Sequence, residues 1–154
     1  ALPISVPGLL EATGVRVLKW SPDFANYDGS AGNDVIIFRY PDVVLMVAEA
    51  MMRKAAPDNA GALTLVNNLR AARGAAALTT MTLSDATNYA PNTLLAERGR
   101  ELYYEWVRRT DLIRFGVFLR PWPYKPADNA KYLLFPIPSQ ALGANPNLKQ
   151  NPGY

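Results

Sequence analysis

Pro41-Asp42-Val43-Val44-Leu45-Met46-Val47-Ala48-Glu49-Ala50-Met51-Met52-Arg53-Lys54 reads as one helix, and it sets the class of the chain. Proline is tolerated in a first helical turn, where its missing N–H has no intrahelical partner anyway. Asp42 near the start and Arg53-Lys54 at the end match the helix dipole. The segment is apolar nearly all round, which predicts a buried helix. Pro57-Asp58 breaks it. Residues 59–73 then place Leu63, Val66 and Leu69 at three-residue steps with Ala62 and Leu65 alongside, and Arg73-Gly74 offers a glycine suited to a C-terminal cap. Two helices joined by a few residues form an antiparallel hairpin.

Downstream, small and hydroxyl residues from Ala75 to Ser84 make a loop, and a third helix is expected from near Pro91 to about Phe115. Its seam is Leu95, Gly99, Leu102, Trp106 and Ile113. A glycine there is expected to admit another helix at close range, because it costs about 1 kcal/mol against alanine. The other side is charged: from Glu97 to Arg114, nine of eighteen residues carry charge. Helical spacing lets Arg98 meet Glu101, and Glu105 meet Arg108 or Arg109, with Asp111 in the same ion-pairing set. Upstream, Asp34-Val35-Ile36-Ile37-Phe38-Arg39-Tyr40 is β-like, and residues 1–34 form a loop-rich lead-in with one strand-like run, Val15 to Trp20. From Pro121 to Tyr154 there are seven of the thirteen prolines, yet the block Tyr132-Leu133-Leu134-Phe135-Pro136-Ile137-Pro138 is too apolar for a disordered tail and is expected to pack on the helices. The chain thus divides into 1–34 and 35–154.

Composition narrows the chemistry. The 154 residues include no cysteine and no histidine, so a disulfide framework, a Cys/His zinc site, a cysteine nucleophile and a Ser-His-Asp triad are excluded within this chain. A formal net charge of +3 is too small for a nucleic-acid footprint. There is no uninterrupted apolar stretch of the ~18 residues that a membrane span needs. Neither a Walker lysine motif nor a G-x-G-x-x-G fingerprint occurs.

Glu97, Glu101 and Glu105 share one helical face, the arrangement a carboxylate-based glycosidase could use. Arg98, Arg100, Arg108 and Arg109 around them favour depressed pKa values, which disfavours a general acid and leaves a salt-bridged structural face. Glu49, alone on an apolar helix, is either functional or buried with a counter-ion, for which Arg39, Arg70, Arg73 and Arg98 are the candidates. Asn26-Tyr27-Asp28-Gly29 looks like the middle of a calcium loop, but Phe24 and Val35 stand where end ligands are needed, so it is a turn. Trp20, Phe24, Tyr27, Trp122 and Tyr124 fall in loop-like segments. Their rings either stack on sugar faces, anchor a protein partner, or seal the helices beneath proline-rich loops.

Four blocks, in order, carry a resemblance. Arg39-Tyr40-Pro41-Asp42 through Ala50, and Val66-Asn67-Asn68-Leu69-Arg70-Ala71-Ala72-Arg73-Gly74, resemble the paired helices near the end of SusD/RagB-family proteins. Glu97-Arg98, Glu101-Leu102, Glu105, Arg108, Asp111-Leu112 and Arg114-Phe115-Gly116 look like the family's charged helix, and Leu134-Phe135-Pro136-Ile137-Pro138 with Asn145 to Tyr154 is similar to its C-terminus. Trp106 stands where the family tends to have glycine, Phe115 where it often has tryptophan, and Gln140 where an acid is common.

The resemblance implies a mainly α fold: a tetratricopeptide-like helical scaffold, an α–α superhelix, with loop-rich and proline-rich decoration and short β segments. It implies a surface-exposed outer-membrane lipoprotein that binds glycans or other nutrients and passes them to a TonB-dependent, SusC-like transporter, without enzymatic activity or cofactor. The lipid-bearing cysteine would lie upstream of Ala1, this chain being the C-terminal part of a longer protein. The competing readings are a tetratricopeptide-like module serving only protein–protein interaction and, weaker, the glycosidase. Family ligand residues vary, so none transfers by motif.

Overall fold

The computed structural model describes residues 19–20, 23–26, 32–85, 90–122 and 125–154. The chain divides into two units, Ala1–Ile37 and Phe38–Tyr154. In the first, Asp23 organises a turn: its carboxylate accepts from Ala25 N at 3.0 Å, Asn26 Nδ2 at 2.7 Å and Gly32 N at 2.9 Å. The hydrogen bond from the Asn26 side chain, then those from the Gly32 and Ala25 amides, hold the Asp23 carboxyl below its usual range. Val15–Leu18 of the expected strand and the Tyr27–Gly29 part of the calcium-like turn lie outside the described residues, and Lys19-Trp20, which end that run, form a bend. Residues 34–39 hold no assigned strand: the chain bends at Ile37 and is extended at Arg39, and no bridge joins this run to another of the described residues. Among the described residues, β pairing is limited to isolated bridges at Thr82–Thr93 and Trp122–Lys125.

The second unit is mainly helical. Helix α1 (Tyr40–Arg53) starts one residue before Pro41, with extended Arg39 as its N-cap. Helix α2 (Asn59–Ala72) is capped by Asp58, whose carboxylate accepts from Gly61 N. It ends as expected at Arg73-Gly74: Gly74 has φ +68, and the amides of Gly74 and Ala75 return to Ala71 O and Arg70 O. That double bond is the Schellman arrangement, and the left-handed φ is why glycine serves there. The two helices pack along Leu45, Ala48, Met52, Ala62 and Val66, with Leu63, Leu65 and Leu69 against the same core. The outer side of α1 is not covered, contrary to expectation: Val43, Met46 and Val47 are each more than 40% exposed. Helix α1 turns one hydrophobic face to α2 and α3, and the apolar residues opposite stay about half exposed.

The third helix is two. Helix α3 (Leu94–Glu101) is capped by Thr93 Oγ1, which accepts from Ala96 N at 3.0 Å. The chain then turns through Leu102–Val107 and resumes as α4 (Arg108–Arg114). Tyr104 (φ +61) and Trp106 (φ +59) cannot continue a right-handed helix. The turn seats Leu102 in the main core and closes a second cluster of Leu95, Leu112 and Val117. Gly99 faces α4, as expected of a glycine in the seam, but what approaches it is a side chain. A Cβ on it would stand 2.8 Å from Nη1 of Arg108, so the glycine makes room for an arginine head from α4.

The proline-rich end is short structure stitched by side chains: a 3-10 turn at Ala130–Leu133 and helix α5 (Ser139–Ala144). Gln150 bonds both backbone groups of Ile137, at 2.8 and 2.9 Å, and Asn151 Nδ2 donates to Phe135 O at 2.7 Å. The apolar block meets α4 through Arg109, which donates to Tyr132 O and stacks on Phe118 and Phe135 at 4.6 and 4.3 Å. Leu134 and Phe135 stay exposed, so the block covers the helices less than its composition suggested. Among the described residues no helix is long and apolar enough to cross a membrane.

Candidate functional site

The densest chemistry lies where α1, α3 and α4 converge. Arg98, 3% exposed, is held between two carboxylates: Nη1 is 3.0 Å from Asp42 Oδ1 and Nε is 2.8 Å from Asp111 Oδ2. Asp111 Oδ1 continues to Arg114 Nη2 at 2.7 Å, Arg114 continues to Glu49, and Glu49 Oε1 meets Arg53 Nε at 2.7 Å. Each position follows from helical phase. Asp42 and Glu49, seven residues apart, share the inner face of α1, while Arg98 and Asp111 face it from α3 and α4. A cavity of about 510 Å³ opens beside this chain of ion pairs, walled by Phe38, Met46, Glu49, Arg98, Asp111 and Arg114.

A second group gathers on Arg39. Its Nε lies 2.8 Å from Glu105 Oε2, and its other nitrogens bond the carboxylate and the carbonyl of Glu101. Arg73 Nη2 joins Glu101 at 2.8 Å. Glu97 is shared by Arg70 and Arg100. Burial pushes the Glu101 carboxyl up, but the guanidiniums of Arg73 and Arg39 outweigh it and hold the group below its usual range. Such a carboxylate accepts hydrogen bonds and does not donate a proton near neutrality.

The partners differ from those expected from the sequence. Glu49 pairs with Arg53 and Arg114, not with Arg39, Arg70, Arg73 or Arg98. Arg98 goes to Asp42 and Asp111 rather than Glu101, and Glu105 goes to Arg39 rather than Arg108 or Arg109. Arg108 has no ion pair among the described residues: its Nη1 donates to Leu95 O at 2.7 Å. For Arg98, Glu105 and the Arg114 partner of Glu49 the reason is the turn at 102–107, which brings cross-helix neighbours into reach; Arg53 is instead an i,i+4 neighbour of Glu49 within α1.

Of the aromatic candidates, Trp20 and Phe24 are exposed in the first unit, 39% and 69%. Trp122 is half-buried in the second, under Lys125 Nζ at 4.4 Å from its ring centroid. Tyr27 and Tyr124 lie outside the described residues. The rings that stand out are instead Tyr103, Tyr104 and Trp106, all exposed on the α3–α4 turn. The one available signal was Trp106 itself, at a position where the family tends to have glycine.

The SusD family's sequence profile matches residues 4–132. The starch-binding protein SusD of Bacteroides thetaiotaomicron is 30% identical over 92% of this chain and 26% of its own length. SusD-like protein P38 of Formosa agariphila is 30% identical over 98% of this chain and 30% of its own. The chain therefore spans less than a third of either relative. The paired helices α1 and α2 and the charged α3–α4 hairpin lie inside the matched range, and on that coverage the chain belongs to the SusD family.

Proposed function

We propose that this chain is the C-terminal part of a nutrient-binding protein of the outer-membrane surface, which captures a glycan and delivers it to a SusC-like, TonB-dependent transporter. The observation that carries the reading is its 30% identity, over 92% of its length, to a protein named for binding starch. Residues 35–154 are then the scaffold portion, and a lipid anchor upstream would hold the protein to the membrane. The chemistry of the charged faces supports binding over catalysis. Glu97, Glu101 and Glu105 are each taken by arginine, which favours fixed carboxylates over a proton-donating acid. Calorimetry or a glycan array on the longest form of the protein tests this: saccharide binding without release of reducing sugar is expected, and sugar release abolished by Glu101→Gln would replace it with a glycosidase.

One observation favours a second reading, a tetratricopeptide-like interaction module with no ligand contacts of its own. Tyr40, Val43 and Val47 are exposed on α1, and a cavity of about 290 Å³ lies between Pro41, Val44, Leu65 and Leu69. Exposed apolar surface of this kind marks protein–protein contact. Retained transporter binding with no saccharide binding would favour it.

A further inference from the structure

The turn between α3 and α4, with the first residue of α4, carries two features that the scaffold does not require. Tyr104 and Trp106 sit at φ +61 and +59. Bulky residues enter that region at a cost, whereas glycine makes the same turn without it. Nor do their rings serve the core: Tyr104 is 65% exposed, and Tyr103 meets it edge-on with ring centroids 6.0 Å apart. Strain of this kind is held where it positions a functional group.

The second feature is Arg108. Arg98, Arg100 and Arg114 each hold carboxylates, and Arg109 lies between two phenyl rings. Arg108 is half-buried with a backbone carbonyl for a partner and, among the described residues, no carboxylate in ion-pair reach. Burial lowers its pKa, nearby Asp111 draws it back up, and Arg98 adds to the fall. A cation in that position is under-compensated. The two features meet in one cavity of about 530 Å³, whose wall includes Gly99, Arg100, Leu102, Tyr104 and Arg108. Its size is that of a small-ligand site.

We propose that this cavity binds an anionic saccharide, the acid group on the remaining N–H groups of Arg108 and a sugar ring against Tyr104. The guanidinium fork matches a uronate carboxylate or a sulfate ester in bidentate fashion. Tyr104 supplies an apolar face with a polar tip. The proposal rests on the nutrient-binding reading and names the ligand class for it.

The test is calorimetry on the full chain at low salt with tetragalacturonate, its methyl ester, a dextran sulfate oligosaccharide and neutral maltotetraose. Tetragalacturonate or dextran sulfate should bind roughly tenfold or more tightly than the neutral sugars, the loss of one charge-assisted contact. The tighter of the two identifies the acid group. Arg108→Gln should lower affinity for the acidic ligand by a similar factor and leave maltotetraose unchanged. Tyr104→Gly should weaken the acidic ligand while raising Tm, a combination that misfolding cannot produce, and this arm stands if Arg108→Gln fails to fold. Equal affinity for acid and ester, with no preference for dextran sulfate, would overturn the proposal, as would undiminished acid binding by well-folded Arg108→Gln. Maltotetraose binding without acidic binding overturns it while sparing the nutrient-binding reading. Binding of none of the four overturns this proposal, whereas the nutrient-binding reading falls only with a blank glycan array on the longest form of the protein.

Discussion

Arg98 Nε stands 2.8 Å from Asp111 Oδ2, thirteen residues further on. A continuous helix would set those residues about 20 Å apart along its axis. The pair therefore exists because the chain turns at 102–107, and it ties the two short helices together at the floor they share with α1. Helices of seven and eight residues are too short to persist alone. Their stability comes from this tie and from Leu95, Leu102 and Leu112.

Asp111→Ala tests the tie. It leaves Arg98 with Asp42 as its one counter-ion, at 3% exposure, and strips Arg114 of half its support. Removing one member of a buried charge set costs about 3–5 kcal/mol. Urea unfolding should show a loss of that size. A loss below about 1 kcal/mol would mean that water reaches Arg98.

Glu49→Ala should cost less, although Glu49 is itself buried. Its partners Arg53 and Arg114 have side chains 42% and 43% exposed and can return to water once the carboxylate is gone. After discounting for that screening, the expected loss is about 1–2 kcal/mol. Measured side by side, Asp111→Ala should be clearly the more destabilising of the two; the reverse order would refute this ranking.

The difference between these two acids shows what could be read in advance and what could not. The α1–α2 hairpin is visible in the chain because its signals are local: Pro41, the Pro57-Asp58 break, Gly74 and a regular apolar step. The α3–α4 break is not, because Leu102-Tyr103-Tyr104-Glu105-Trp106 contains no proline or glycine and fits a helical seam. Only cross-helix partners, Arg39 for Glu101 and Glu105 and Asp42 with Asp111 for Arg98, decide it. Of the two counter-ions of Glu49, Arg114 reaches it only after the turn and is hidden for the same reason, whereas Arg53 lies four residues on in the same helix and was legible from spacing alone. The outer face of α1 was misread because an apolar composition does not say which residues lie beside it. In the candidate site, Trp106 was visible as a departure from glycine, but the left-handed backbone beneath it was not.

Stability should fall in acid partly through Glu101. Its folded carboxyl is held below the ordinary value of 4.5, with Arg73 and Arg39 outweighing the upward push of burial. A group depressed on folding contributes stability that is fully present above its unfolded pKa and is lost as pH falls through the folded one. The urea midpoint should therefore decline below about pH 4.5, and Glu101→Gln should flatten that decline while lowering stability at pH 7. An unchanged acid slope in Glu101→Gln would show that other carboxylates carry it.

Trp106→Gly should stabilise the protein. The residue lies at φ +59 with its side chain 76% exposed, so little buried surface is lost when the ring is removed. Relief from the left-handed region is worth about 1–2 kcal/mol, and the added freedom of glycine in the unfolded chain takes back about 0.5–1. The net gain is about 0–1.5 kcal/mol, or a Tm rise of up to about 3–6 °C for a domain of this size. Calorimetric melting of the two proteins checks it. A fall in Tm would mean that the Trp106 ring makes contacts worth more than the strain beneath it, and the turn would then be held by the tryptophan rather than in spite of it.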